Sequence, residues 1–281
     1  MKAILISILI LFSISIFAQE TEEKKDTLWT PKGVVGVNLA QVAFSNWSQG
    51  GQNSISYTFF SNFGIHYIGD PWKWKNNLRF AYGRTKLGSD AYRTNDNEIF
   101  FESTLIYNVG WKVSPYAGVT ARTSVTKGYN YDVDPAAQIV DFMDPFFLTE
   151  GIGFIYDQIP NFSTRLGLGF KQTFADKFAM MYSDDPATTE LEKFKNETGI
   201  ESVTEYSWSF MEDMNYSTYL RLFGRFEDLS VWDVRWDNVI TAKINKYVNV
   251  NFGVLVIYDV DETAKTQVKE ALQLGISYTL F

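Results

Sequence analysis

Few residues of this 281-residue chain could carry covalent or metal chemistry. His66 is the only histidine and cysteine is absent, so His/Cys metal sites, disulfide staples and thiol nucleophiles are excluded by count. A hydrolase needs a nucleophile, a base and an orienting group around it. No Gly-x-Ser-x-Gly stretch occurs, and alternation groups His66 with Ser56, Thr58 and Asn62, which reads as a hydrogen-bonding histidine. The acid clusters Asp132/Asp134, Asp141/Asp144, Asp184/Asp185 and Asp259/Asp261/Glu262 could collect calcium. None has the ordered spacing of a calcium loop, so solvated loop acids are expected there. The chain is read as a non-enzyme with no catalytic, cofactor-binding or metal residues.

The chemistry that remains is electrostatic. Arg79, Arg122, Arg165, Lys171, Arg221, Arg225 and Arg235 fall on the polar parity of alternating segments, opposite Glu98, Glu102, Glu205, Asp233 and Asp237, with His66 in the same set. If that parity lines a lumen, the lining is mixed in sign with a basic excess. A wet pore so lined would favour anionic solutes, whereas arginines paired to carboxylates would form a closed, structural interior.

The elements that must position these groups are strands. In Phe162 to Phe174, Phe162, Leu166, Leu168 and Phe170 share one parity, and Ser163, Arg165, Gly167, Gly169 and Lys171 the other. Period two puts successive side chains on opposite faces of a strand. About twelve such segments start near residues 34, 53, 72, 97, 115, 146, 162, 201, 216, 231, 246 and 267. Short turns are expected at Gly69-Asp70-Pro71, Val113-Ser114-Pro115, Gln158 to Asn161, Asp213 to Asn215 and Asn245-Lys246. They alternate with long connections, Lys86 to Asn97, Thr126 to Pro145 and Asp176 to Gly199, as in a membrane barrel with periplasmic turns and external loops.

Composition narrows the class. Residues are 46% hydrophobic and 17% aromatic, but only Ala3 to Phe17 approaches an uninterrupted apolar run of about 20, so a bundle of spanning helices is excluded. A net charge of −8 argues against nucleic acid as a partner. Lys2, the apolar run and Ala18 read as a cleavable signal over 1–18, followed by a flexible periplasmic segment over 19–33 and a barrel over 34–281.

An exported chain that spans a bilayer without an apolar helix must close its strands into a ring. On the apolar parity, Trp72, Trp74, Trp111 and Tyr156 sit beside expected periplasmic turns, with Tyr82, Trp232 and Tyr258 toward the other rim. Those are the two aromatic girdles of an interface-straddling wall. The charges on that parity, Arg84, Glu150, Glu212 and Glu270, are expected near strand ends, and Asn238 stands mid-strand.

The chain resembles a family of Bacteroidota outer-membrane β-barrels of unknown function. The resemblance rests on Asn46-Trp47-Ser48-Gln49-Gly50-Gly51-Gln52-Asn53-Ser54, Asp233-Val234-Arg235-Trp236, Asn245-Lys246-Tyr247, Ile257-Tyr258-Asp259, and Gln267-Val268-Lys269-Glu270 with Gly275. It implies location and fold, with no activity to carry over.

The expectation is therefore an all-β, single transmembrane antiparallel barrel of about twelve strands in the outer membrane. Its function is read as a narrow, porin-like channel for a small solute. A non-conducting, partner-binding barrel is the alternative, and a lipid-modifying enzyme the third reading. Expected partners are outer-membrane lipid and lipopolysaccharide, and the barrel-assembly machinery during insertion.

Overall fold

The computed structural model describes residues 28–45, 48, 51–185 and 188–281. The expected signal over 1–18, most of the 19–33 segment, and Trp47 and Gly50 of the first-loop motif lie outside the described residues.

Twelve antiparallel strands close into one ring. In chain order they are β1 (Trp29–Val42), β2 (Ser54–Ile68), β3 (Trp72–Leu87), β4 (Arg93–Tyr107), β5 (Ser114–Thr123), β8 (Phe146–Tyr156), β9 (Phe162–Phe174), β10 (Phe194–Met211), β11 (Met214–Arg225), β12 (Trp232–Lys243), β13 (Val248–Asp259) and β14 (Thr263–Thr279). Two short strands, β6 (Gly128–Asn130) and β7 (Ala137–Val140), form a separate hairpin between β5 and β8. One helical turn, α1 (Ala179–Tyr182), lies in the connection from β9 to β10. Each wall strand pairs with its sequence neighbour in the ring, and β1 meets β14 from Val34↔Thr279 to Leu39↔Leu274.

The wall is apolar outside and polar inside. On β9 Leu166 and Leu168 are 59% and 46% exposed, while Arg165 and Lys171 are 7% and 4% exposed. Apolar side chains turned away from a buried polar lumen are stable only against hydrocarbon, which fixes the molecule as an outer-membrane barrel. The periplasmic connections are short, and the external ones carry the hairpin and α1. Trp72, Trp74 and Trp111 are exposed beside periplasmic turns, Trp72 against Tyr107 at 4.6 Å between ring centroids and Trp74 against Trp29 at 6.1 Å. Tyr156 is half-buried at the same end, and Tyr82, Trp232 and Tyr258 are half-buried toward the external end.

Several boundaries differ from the sequence reading. β14 starts at Thr263 rather than near 267. β4 starts at Arg93 rather than near 97, which shortens the expected long connection Lys86 to Asn97 to residues 88–92. β1 begins at Trp29, so residues 29–33 belong to the wall rather than to a flexible segment. Pro31 reads as a breaker, yet it pairs with Ile65 of β2 beyond the last β14 partner, where no ladder needs its missing N–H. β10 begins at Phe194 rather than near 201, which moves Lys195 and Glu197 from the expected loop into the wall. Glu150 faces outward four residues inside the external end of β8, whereas Glu270 faces outward from well inside β14, because that strand extends back to Thr263 toward the external rim.

Glycine opens the lumen face of β8 and β9. Gly153 pairs with Gly167, and a Cβ on Gly167 would stand 2.2 Å from the Ile152 carbonyl oxygen and 2.9 Å from the Tyr116 hydroxyl. The ring of Tyr116, inward from β5, lies over this bare patch. Gly167→Ala should therefore destabilise the barrel by about 1–3 kcal/mol through overpacking. Gly253→Ala, whose Cβ would meet nothing nearer than 3.9 Å, should be close to neutral, as read by urea midpoints in detergent micelles.

Candidate functional site

The lumen is the candidate site, and its inner parity gathers every one of the thirteen sequence-singled polar residues. At the periplasmic end His66 Nε2 lies 2.9 Å from Asn77 Oδ1, and Lys73 and Lys75 reach Asp157 at 3.0 and 3.7 Å. Ile106, Tyr116 and Ile155 form a buried apolar cluster inside the ring. His66 thus has an amide partner, and no Ser or Thr hydroxyl is bonded to it among the described residues.

The middle of the lumen is bridged by arginine. Arg165 of β9 donates to Glu102 Oε1 at 2.6 Å and Thr104 Oγ1 at 3.1 Å of β4, both pair members under a tenth exposed. Arg235 of β12 grips both oxygens of Glu98 of β4 at 2.6 and 3.0 Å, and its Nε donates to Asp237 at 2.9 Å. β12 and β4 lie six places apart around the twelve-strand ring, on opposite walls. Arg79 has no carboxylate in ion-pair reach among the described residues. Its guanidinium instead sits 4.3 Å from the Phe100 ring centroid and 5.4 Å from that of Tyr219, on the wall opposite its own strand. Arg221 donates to Glu201 at 2.7 Å and Thr149 at 2.9 Å. Glu205 accepts from Ser163 at 3.3 Å.

The external end is a denser knot. Lys171 Nζ is 2.7 Å from Asp233, 2.8 Å from Asp259, and 3.5 Å from both Glu197 and Asp261. Lys195 and Arg225 add further contacts to Glu197 and Asp261. Arg122 of β5 reaches Glu262 at 2.6 Å, and Glu262 belongs to the turn after β13, again on the opposite wall. The turn 260–262 is therefore folded into the mouth. Beside it the β9–β10 connection presses inward: Phe178, Ala179 and Ser183 are buried, and Tyr182 packs edge-on to Phe147. Burial pushes the Tyr182 phenol up to about 12, with Glu262 adding to the rise. Burial alone would raise Asp261, but Lys171 and then Lys195 outweigh it and hold this carboxyl below the ordinary aspartate value.

Two sequence expectations are corrected here. Asp259, Asp261 and Glu262 are acceptors for lumen cations, not solvated loop acids, because a three-residue turn between two wall strands keeps them within ion-pair reach of Lys171, Lys195 and Arg122. The basic excess of the lining also disappears. Glu197 and Glu201 lie on the inner parity, and with the acids of the turn they match the cations that parity alone left in surplus. Glu197 was missed because its outward neighbours Asn196 and Thr198 are polar, so no apolar alternation marks the strand there.

Comparison with known proteins adds little on this site. A family model described as "Protein of unknown function (DUF3078)" matches residues 39–129. No curated protein sequence matches the chain. Among solved structures, the chain is similar to an outer-membrane channel from Pseudomonas putida F1 (TM-score 0.41, 9% identity, covering 93% of this chain and 98% of that one). It is also similar to the translocator domain of the autotransporter NalP from Neisseria meningitidis (0.38, 10%, 89% and 87%) and to OmpF of Salmonella typhi (0.27, 11%, 90% and 97%). These likenesses are ones of architecture.

Removing one member of a buried pair leaves the other charge uncompensated. Arg165→Met should cost about 3–5 kcal/mol by orphaning Glu102. The double variant Arg165→Met with Glu102→Met should recover most of that loss in urea titration. An additive double variant would show that the two groups do not act as a pair.

Proposed function

We propose that the protein is a narrow outer-membrane channel held shut at rest by paired charge across its lumen, and opened for a small polar solute when the external turn 260–262 leaves the mouth. The observation that carries this reading is the pair of bridges Arg235–Glu98 and Arg122–Glu262, each joining opposite walls. An eight-stranded ring is filled by its side chains, whereas a twelve-stranded one has room for a passage unless long side chains cross it. Here they cross it as ion pairs, which salt, acid or a charged solute can compete for. An apolar filling would offer no such release.

This differs from a freely anion-selective pore, since six of the seven singled-out cations already hold carboxylates. The competing reading, a permanently closed barrel that organises envelope partners, draws support from the apolar clusters Ile106/Tyr116/Ile155 and Phe100/Val203/Tyr219 inside the ring. Neither reading assigns catalysis. Both carry with them export by residues 1–18, insertion by the barrel-assembly machinery, contact with lipopolysaccharide, and an origin in the Bacteroidota.

Planar-bilayer conductance separates the two. The parent should be closed at neutral pH, and Asp261→Asn with Glu262→Gln should give discrete openings, at least tenfold more often. A variant as silent as the parent, yet still heat-modifiable on gels, would favour the permanently closed barrel.

Acid supplies an independent lever. Because the folded Asp261 lies below the ordinary value of 3.8, its ion pairs are complete above that value and are lost as pH falls through the lowered one. Opening should therefore be absent between pH 7 and 5 and set in only below about 3.8.

A further inference from the structure

The hairpin of β6 and β7 is not part of the wall. It folds back along the outer face of the external end of β4, where Asn97 exchanges two hydrogen bonds with the backbone of Thr126, at 2.7 and 2.9 Å, and Tyr131 Oη accepts from the Thr94 N–H at 3.0 Å. Between the hairpin and the wall lies a cavity of about 350 Å³, lined by Tyr82, Arg84, Tyr92, Lys127, Tyr129 and Tyr131. Tyr82 and Arg84 share the outward parity of Trp72 and Trp74 on β3, so the cavity faces the lipid side at the external rim.

Its chemistry is unlike that of the rest of this acidic chain. Arg84 stands 5.5 Å and Lys86 5.6 Å from the Tyr92 ring centroid, and Arg93 stands 5.3 Å from that of Tyr131. Among the described residues, only Arg93 of these cations has a carboxylate in ion-pair reach, exposed Asp90 at 3.5 Å; Asp141 lies within electrostatic range of Lys127. Arg84 donates one bond to the Tyr92 carbonyl, while its Nε is buried without a hydrogen-bond partner. Tyrosine faces stack on sugar rings and leave their hydroxyls for polar edges. Unpaired Arg and Lys groups beside them suit phosphate, for which arginine offers a fixed fork of donors.

We propose that this rim cavity binds the phosphorylated sugar headgroup of an outer-leaflet glycolipid, its phosphate on Arg84 and Lys127 and its sugar against Tyr92, Tyr129 and Tyr131. The assignment rests on the outer-membrane fold and is independent of whether the lumen conducts. Clusters of cations beside a membrane-embedded wall draw anionic lipid by charge as well as by contact.

Native mass spectrometry of the detergent-solubilised barrel tests it, with a bisphosphorylated acylated glucosamine disaccharide as probe. Its dephosphorylated counterpart and inorganic phosphate serve as comparison arms. Binding of the probe should fall at least tenfold in Arg84→Gln with Lys127→Gln and at least threefold in Lys127→Gln alone, an exposed position where folding is not at issue. Lys246→Gln at the periplasmic end should change nothing. The dephosphorylated lipid should bind at least tenfold more weakly, and inorganic phosphate at the probe's concentration should not displace it. Equal binding of both lipids, equal binding by the variants, or displacement by inorganic phosphate would each overturn the proposal. Heat-modifiable mobility and conductance, read on the same samples, keep failure of this site distinct from failure of the barrel or of its gate.

Discussion

A strand in hydrocarbon has no water to satisfy its amides, and each unpaired backbone group there costs several kcal/mol. The ring must close, and it closes on its shortest seam, six residue pairs between β1 and β14. Everything else follows from that closure. Antiparallel neighbours joined by tight periplasmic turns place all the long excursions at one end. Period two then sends one set of side chains to lipid and the other to the lumen, leaving no third place for a charged residue within the wall.

The inner set explains why the lumen is ionic rather than oily. A charge on the lipid face of mid-wall costs about 2–4 kcal/mol for Arg or Lys, so the inner face is where such residues are admitted. Once inside, they lie out of bulk water, and a lone charge there is worse than a paired one. Arg165, Lys171 and Arg235 meet this with fork-like or multiple contacts, each bound to acids on strands that are not their neighbours. Such pairs add modest net stability compared with apolar packing. They do make the arrangement specific, because Arg122, Arg165 and Arg235 meet their acids on distant strands or turns only when the ring is in the correct register. The bare lumen face at Gly153 and Gly167 is the complementary device, giving up side chains so that Tyr116 can lie across the sheet.

How much of this the sequence discloses depends on the range of the interaction. Alternation is local, and Phe162 to Phe174 or Trp72 to Gly83 read directly as wall strands with the correct face outward. The same reading marks where twelve strands lie and where the chain turns. It stops where the polar parity meets a polar outward face, as at Asn196 and Thr198, or where proline sits beyond the last partner, as at Pro31. It also stops at pairing across the lumen. Arg235 and Glu98 are 137 residues apart, and their meeting depends on the stagger of the whole ring, which no local pattern encodes. The same holds for Arg122 and Glu262, so the turn that folds into the mouth reads from sequence as an ordinary acidic loop.

One excursion ties the inner and outer chemistry together. Residues 124–145 leave β5 just past Arg122, whose side chain holds Glu262 in the mouth, and return as β8. On the way they build the rim cavity with Lys127, Tyr129 and Tyr131. They also grip the connection that covers the lumen: Asp144 accepts the backbone N–H groups of Asp176 and Lys177 at 3.0 and 2.9 Å, and Gln138 accepts from Lys177 Nζ at 2.9 Å. Thr123 anchors both ends, donating to the Pro145 carbonyl and accepting from Met143 N–H. The covering segment is therefore fastened to the outer rim as well as to the lumen, where Tyr182 packs on Phe147. A barrel closed by packing alone would have no such link between its lipid face and its interior.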